Sequence, residues 1–383
     1  MKKKIDMLVR HFQPGKLSAL PRTAYQLSLE LRRFYSITIN TNNEYLKSEM
    51  NLNGLLLKPH TGLSIEKILS DSDIIHFFGS LIGAYSLLRS VKQKKQSIII
   101  SPYTSKLGWC DISYLKFSDF FIDYRTKCLS NPLLGTIIPN FFLKKELNKA
   151  DRIIVASIRQ KLFYQKLVGS KVIRIPHGVD TTKFKPIQKE KARKKIGLNS
   201  SKSVIVYAGH DYIIRGIDTL IYATELILKK YPDVLLVLII NPTCSRSINF
   251  INKLALRLGS NVRVITKYVN NLEDYYNAAD VISLPFRCSG ELPPYPFTML
   301  EAMACSKPVL TTRIGSIPEI ISNKHNGLLV NNPNSYNELA DSILYILKND
   351  KFAENISKNA RESIKEFDWR TVAKKIREVY ENV

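Results

Sequence analysis

A chain of 383 residues is longer than one hydrophobic core usually serves, so two domains are expected. Its 45% hydrophobic and 23% charged residues exclude a disordered chain, and five scattered cysteines without a Cys-x-x-Cys pair argue against a disulfide framework or zinc site and for a reducing compartment. The net charge of +24 is uneven: up to Pro186 there are 30 Lys and Arg against 13 Asp and Glu, and beyond it 27 against 20, so the first half is either a polyanion-attracting surface or a solvated lysine-rich one.

The opening MKKKIDMLVRHF starts like a signal peptide, but Asp6, Arg10 and His11 interrupt any apolar region, so a first strand is expected over 1–9. The loop RHFQPGKLSAL follows, in which Gly15 can bring its backbone N–H to a phosphate and Lys16 adds charge; an ordinary connecting loop is the competing reading. A helix is expected over 21–34, with Ala24, Leu27, Leu31 and Phe34 on one face. Short strands are expected at 36–40, 74–78, 97–101, 151–157 and 170–176. His76, within DIIHFF, is either a catalytic base or a strand histidine. Residues 106–149 mix aromatic and basic side chains, which suits a membrane interface or single-stranded nucleic acid, and equally an irregular part of the first core.

The pattern restarts near Ser203, after a Lys-rich seam at 178–199. Strands VIVYAG, VLLVLII, VRVIT, 281–285 and 308–312 alternate with helices at 218–230, 248–258, 272–279 and 298–304. VLLVLII, the longest apolar run, is too short to span a bilayer. Two doubly wound sheets in tandem imply a ligand cleft at the carboxyl ends of their strands. The closing DWRTVAKKIREVYENV is amphipathic, with Val372, Ile376, Val379 and Tyr380 on one face.

Two places can carry chemistry. GHDYIIRG (residues 209–216) joins a strand to a helix. Gly209 permits close approach of a ligand, the helix offers its positive N-terminus, and Arg215, flanked by His210, can fork onto a diphosphate. Glu301 opens EAMA, an apolar helix in which a cleft-facing carboxylate can accept hydrogen bonds from ribose hydroxyls. Glu291 can contact a sugar or steady positive charge at an anomeric carbon. The bland readings are a surface arginine, a loop carboxylate and a helix N-terminal glutamate favoured by the dipole. Cys288 and Cys305 lie nearby as packing residues.

The order of these motifs, from DSDIIHFFG through KADRIIVASIRQK, IRIPHGVDTTKFKP, YAGHDYIIRGIDTLIYA and YYNAADVISLPF to EAMACSKPVLTTRIGSIPEII and NGLLV, resembles glycosyltransferase family 4 over nearly the whole chain. The resemblance implies an α/β chain of the GT-B fold: two Rossmann-like doubly wound domains facing each other across a cleft, an acceptor domain at 1–180, a donor domain at 181–366, and a C-terminal helix at 367–383 crossing back to the first. It implies a retaining glycosyltransferase of hexosyltransferase type that uses a nucleoside diphosphate sugar as substrate, with no cofactor and no metal. Its acceptor is a lipid-linked or cell-envelope glycan. The protein is expected to be cytoplasmic, on the inner face of an anionic membrane through its basic first domain, and not to bind nucleic acid. Catalysis falls to Glu291 and Arg215. Donor binding falls to Gly15, Gly209, His210, Arg215, Glu291, Thr298 and Glu301, and the acceptor side to Lys16 and His76.

The chain departs from that family at several points. His210 stands where arginine is usual, and Lys16 where a second glycine is usual. Seven residues usually separate the two glutamates, a spacing that lands on Pro293, so Glu291 is displaced by a two-residue insertion within 293–296. Ser306 replaces a glycine, and the usual acceptor histidine is missing at SPYTSK. A degenerate GT-B protein that binds a nucleotide sugar or scaffolds a membrane complex is the alternative.

Overall fold

The computed structural model describes residues 2–10, 12–13, 19–42, 46, 48–59, 72–91, 96–103, 138–198, 201–243, 245–289 and 292–383. Gly15, Lys16, Glu291 and nearly all of the aromatic and basic stretch at 106–149 lie outside them. The chain forms two compact units. One holds the described residues within Met1–Leu107 and Ser130–Gly178 together with Phe367–Val383, and the other contains Val179–Glu366.

The first unit is built on strands β1 (Lys4–Arg10), β2 (Ser36–Asn42), β3 (Met50–Leu52), β4 (Leu55–Pro59), β5 (Ile74–Gly79), β6 (Ser97–Pro102), β7 (Arg152–Val155) and β8 (Val172–Arg174). They lie in the order β3-β4-β2-β1-β5-β6-β7-β8, parallel except for β3 against β4. That hairpin was not expected from the sequence; Asn53 and Gly54 both take positive φ, the geometry of a tight two-residue turn. Helix α1 (Ala19–Leu31) connects β1 to β2. Helices α2 (Leu81–Ser90), α3 (Asn140–Leu147) and α4 (Ile158–Val168) accompany the following strands. Leu87, Leu88, Leu143, Leu147, Tyr164 and Leu167 pack them onto the sheet in one continuous core.

The second unit runs from α5 (Lys189–Lys195) through β9 (Ser203–His210), α6 (Ile217–Lys230), β10 (Val234–Asn241), α7 (Ser245–Ala255), β11 (Val262–Ile265), α8 (Leu272–Ala278), β12 (Val281–Leu284), α9 (Phe297–Ala304), β13 (Val309–Thr312) and β14 (Leu328–Val330) to α10 (Tyr336–Leu347) and α11 (Asp350–Ser363). Its all-parallel sheet has the order β11-β10-β9-β12-β13-β14. The expected strands and helices of this half are all present; β14, α10 and α11 add to them. The Lys-rich seam is not a free linker, because α5 pairs through Lys195 with Asp274 of α8 and through Lys189 and Arg193 with Asp280, just before β12.

The last helix, α12 (Trp369–Glu381), belongs to the first unit. Asp368 caps it, and its expected apolar face, Val372, Ile376, Val379 and Tyr380, is buried against that unit. Among the described residues no helix is long and apolar enough to cross a membrane.

Candidate functional site

In the second unit the chain leaves β9 for β10 on one side and reaches β12 on the other, so the connections following β9 and β12 diverge at the carboxyl end of the sheet. Such a switch point is where doubly wound sheets hold ligands. The first connection carries His210, Arg215 and Gly216; the second is Pro285 to Ser289. The two grip each other. Gly216 has φ +72° and caps α6, and a Cβ there would lie 1.9 Å from the Pro285 carbonyl oxygen. Only glycine fits that approach. The Arg287 N–H donates to the Ile214 carbonyl at 2.8 Å.

Arg215 ends a short 3₁₀ turn and is largely buried, its guanidinium carbon 5.5 Å from the centre of the Phe286 ring. His210 stacks on Tyr212 at 5.4 Å. Burial first, and then the charge of Arg215, push the His210 pKa down to about 4 against the opposing pull of Asp211. His210 is therefore a neutral imidazole at pH 7. Gly209 serves its neighbours too: a Cβ would lie 2.8 Å from the Tyr207 hydroxyl, which donates to the His210 carbonyl at 2.9 Å. Asp211 is fully buried and accepts from the backbone and hydroxyl of Thr243, tying the end of β9 to that of β10.

Thr298 stands half-buried in the first turn of α9. Glu301, one turn on, does not face open solvent. It is 1% exposed and accepts from the Tyr276 hydroxyl at 3.1 Å. Its burial in an apolar helix thus has a local partner that the sequence did not disclose. Ser289 and Leu292 flank Glu291 and are joined by a 3.2 Å backbone hydrogen bond, while Tyr295, inside the inferred insertion, is buried and donates to Glu319 at 2.7 Å. The insertion is anchored on that side.

Arg287 is the residue that sequence reading missed. It is 1% exposed, and its guanidinium donates at 2.6 Å each to the carboxylate of Asp218 and the hydroxyl of Thr219. An arginine directly following the apolar run VISLPF was the available signal.

In the first unit His76 is corrected from an acceptor-side residue to a core one. Both neighbours of β5 are strands and helices cover the sheet, so the ring is fully buried, with Nδ1 2.6 Å from the Tyr380 hydroxyl and Nε2 2.6 Å from that of Ser101. Burial lowers its pKa to about 3. A different histidine, His177, follows β8, lies 6.0 Å from the Tyr103 ring and lines a small cavity with Ser101, Tyr103, Thr23 and Trp369. Burial holds its pKa down to about 4.

Residues 188–363 match the family described as glycosyl transferases group 1. Among curated proteins, the chain is 25% identical over 246 residues to the D-inositol 3-phosphate glycosyltransferase of Saccharomonospora viridis, covering 61% of this chain and 56% of that protein, so it spans little more than half of that relative's length. In three dimensions it is similar to sucrose-phosphate synthase from Thermosynechococcus elongatus, at TM-score 0.80 and 19% identity over 100% and 99% of the two chains. It is also similar to Anabaena HepE in complex with UDP and glucose, at TM-score 0.77 and 15% identity over the full length of both. At these identities the structural likeness is one of fold. Residues 188–363 are thus similar to the glycosyl transferases group 1, and the chain has the two-unit α/β fold of the solved structures it resembles.

Proposed function

We propose that this protein transfers a sugar from a nucleoside diphosphate sugar to an acceptor. The observation that carries the reading is Arg215, largely buried beside the glycine-capped N-terminus of α6 at the switch point of the second sheet. The leaving group of such a transfer is a diphosphate. A buried guanidinium, the open N–H groups of a helix's first turn and the neutral His210 imidazole together donate to it without a metal ion. Glu301 is read as the ribose partner, with Tyr276 steadying its carboxylate, Thr298 as a further donor contact, and Glu291 as the carboxylate at the sugar. The family 4 resemblance supports retention at the anomeric carbon and hexosyl transfer.

The donor is read as a UDP-sugar, a choice supported by the UDP and glucose named for the HepE complex. The acceptor is read as a lipid-linked or cell-envelope glycan met at the cytoplasmic face of an anionic membrane. One surface of the first unit favours this: on neighbouring helices α3 and α4, Phe141, Phe142, Ile158 and Leu162 are exposed by 72%, 49%, 46% and 57% beside Lys144, Lys145, Lys161 and Lys166. Retention of the protein by phosphatidylglycerol vesicles, lost on Phe141→Ser with Leu162→Ser, is the expected outcome; equal binding by that variant removes the surface from the proposal.

Incubation of the purified full chain with UDP-, GDP- and ADP-sugars is expected to give thermal stabilisation by one donor class and slow donor hydrolysis. Glu291→Gln is expected to lower turnover more than donor affinity. Stabilisation without hydrolysis or transfer in any acceptor extract would instead favour a donor-binding protein without catalysis.

A further inference from the structure

We infer that Arg287 is a positioning residue that sets both the geometry and the charge of the proposed diphosphate site; the inference rests on the donor reading above. An acidic residue, Asp218, occupies the first turn of α6, the turn that would face a bound diphosphate. A carboxylate there favours the helix dipole but repels an incoming phosphate. Arg287 changes that balance. Its guanidinium meets the Asp218 carboxylate at 2.6 Å in a setting where Arg287 is 1% exposed and Asp218 14%. The Asp218 negative charge is therefore compensated within the protein, leaving Arg215 and the helix N-terminus as the field a phosphate meets.

Geometry adds to charge. The stretch Pro285 to Arg287 touches the turn before α6 and the first turn of α6 at four points: the Pro285 carbonyl against Gly216, the Phe286 ring against Arg215, the Arg287 N–H on the Ile214 carbonyl, and the Arg287 side chain on Asp218 and Thr219. Arg287 is the strongest of these ties, because charge-assisted bonds to a buried fork are short and directional. Holding the turn fixes where Arg215 points. Arg287, 1% exposed, acts through Arg215.

The test is titration of UDP, GDP and ADP and of their nucleosides into the wild-type chain and into Arg287→Met, Arg287→Lys and Arg287→Met with Asp218→Asn, with the unliganded melting temperature measured for each. In Arg287→Met the affinity for the nucleoside diphosphate is expected to fall about tenfold or more, because the Asp218 charge is exposed to the phosphates. Affinity for the nucleoside is expected to stay unchanged. Adding Asp218→Asn should recover part of the loss, since it removes the repelling charge. A packing role would lower both affinities together and would not be rescued. Should Arg287→Met not fold, Arg287→Lys carries the test, with an intermediate loss confined to the diphosphate. A wild-type ratio of diphosphate to nucleoside affinity in Arg287→Met or Arg287→Lys, or the absence of rescue, overturns the inference. A wild-type chain that binds none of the three diphosphates overturns the donor reading instead.

Discussion

The two units share a doubly wound sheet but place their buried polar groups differently. In the second unit Arg215, Arg287, Asp211, Thr219 and Glu301 gather around the connections at the carboxyl end of the sheet or on the helices that follow them. In the first unit, His76 sits within a strand and, with Ser101 and Tyr380, ties the sheet to the returning helix α12. A buried polar group is tolerated only when it is hydrogen-bonded, so each cluster has a purpose that outweighs its desolvation. The first cluster holds the turn of the proposed diphosphate site, and the second holds a helix to its unit. Substitutions in the first cluster should therefore alter ligand binding, and substitutions in the second should alter stability.

The largest effect is expected from Gly216→Ala, beside the first cluster but not part of it. The added Cβ meets the Pro285 carbonyl in a backbone conformation L-residues rarely adopt, so the second unit should lose about 3 kcal/mol or more, read by urea unfolding. Unchanged stability would mean that the two connections are not clamped together. Arg215→Ala comes next. Its cost is expected in transfer, roughly 10²–10³-fold, with donor affinity reduced and the melting temperature nearly unmoved. Wild-type turnover in that variant would remove Arg215 from the diphosphate site.

Most of the fold was legible because its strands are short apolar runs buried on both faces and its helices keep a 3.6-residue period. The β3–β4 hairpin went unread, although Asn53-Gly54 is a turn signal, because its strands are three and five residues long. The site was legible where chemistry is local: Arg215 and Gly216 sit in one turn between a strand and a helix. Arg287 was not, since its partners Asp218 and Thr219 lie 69 and 68 residues away in the chain. His76 misled for the opposite reason. Its sequence neighbours say strand, whereas only the arrangement of β1, β6 and α12 around it says interior.

A smaller effect sharpens the comparison from the side of the first unit. Tyr380→Phe removes the hydroxyl beside His76 Nδ1 and should cost about 1–3 kcal/mol while leaving nucleotide binding unchanged. The histidines add a pH dependence of fixed sign. Burial lowers His76 to about 3, and His177 and His210 to about 4, below the unfolded value near 6.5. Between those values the unfolded chain binds more protons than the folded one, so stability is full above about pH 6.5 and falls as the pH drops towards 4. Denaturant unfolding across that range checks the slope, and His76→Leu should flatten part of it.

The smallest expected effect concerns Ser306, which stands where glycine was expected and has φ +54°. A Cβ in that left-handed conformation costs about 1–2 kcal/mol, and the Ser306 hydroxyl offsets part of it by donating to the Ser357 carbonyl at 3.0 Å. Ser306→Gly removes both the strain and the bond, so a net gain of up to about 1 kcal/mol is expected. The residue follows α9 at the end remote from Thr298, and its bond runs to α11. Donor affinity should accordingly not move. If affinity changes with stability, α9 transmits strain along its length to the donor side, and the separation between holding the fold and holding the ligand fails within the second unit itself.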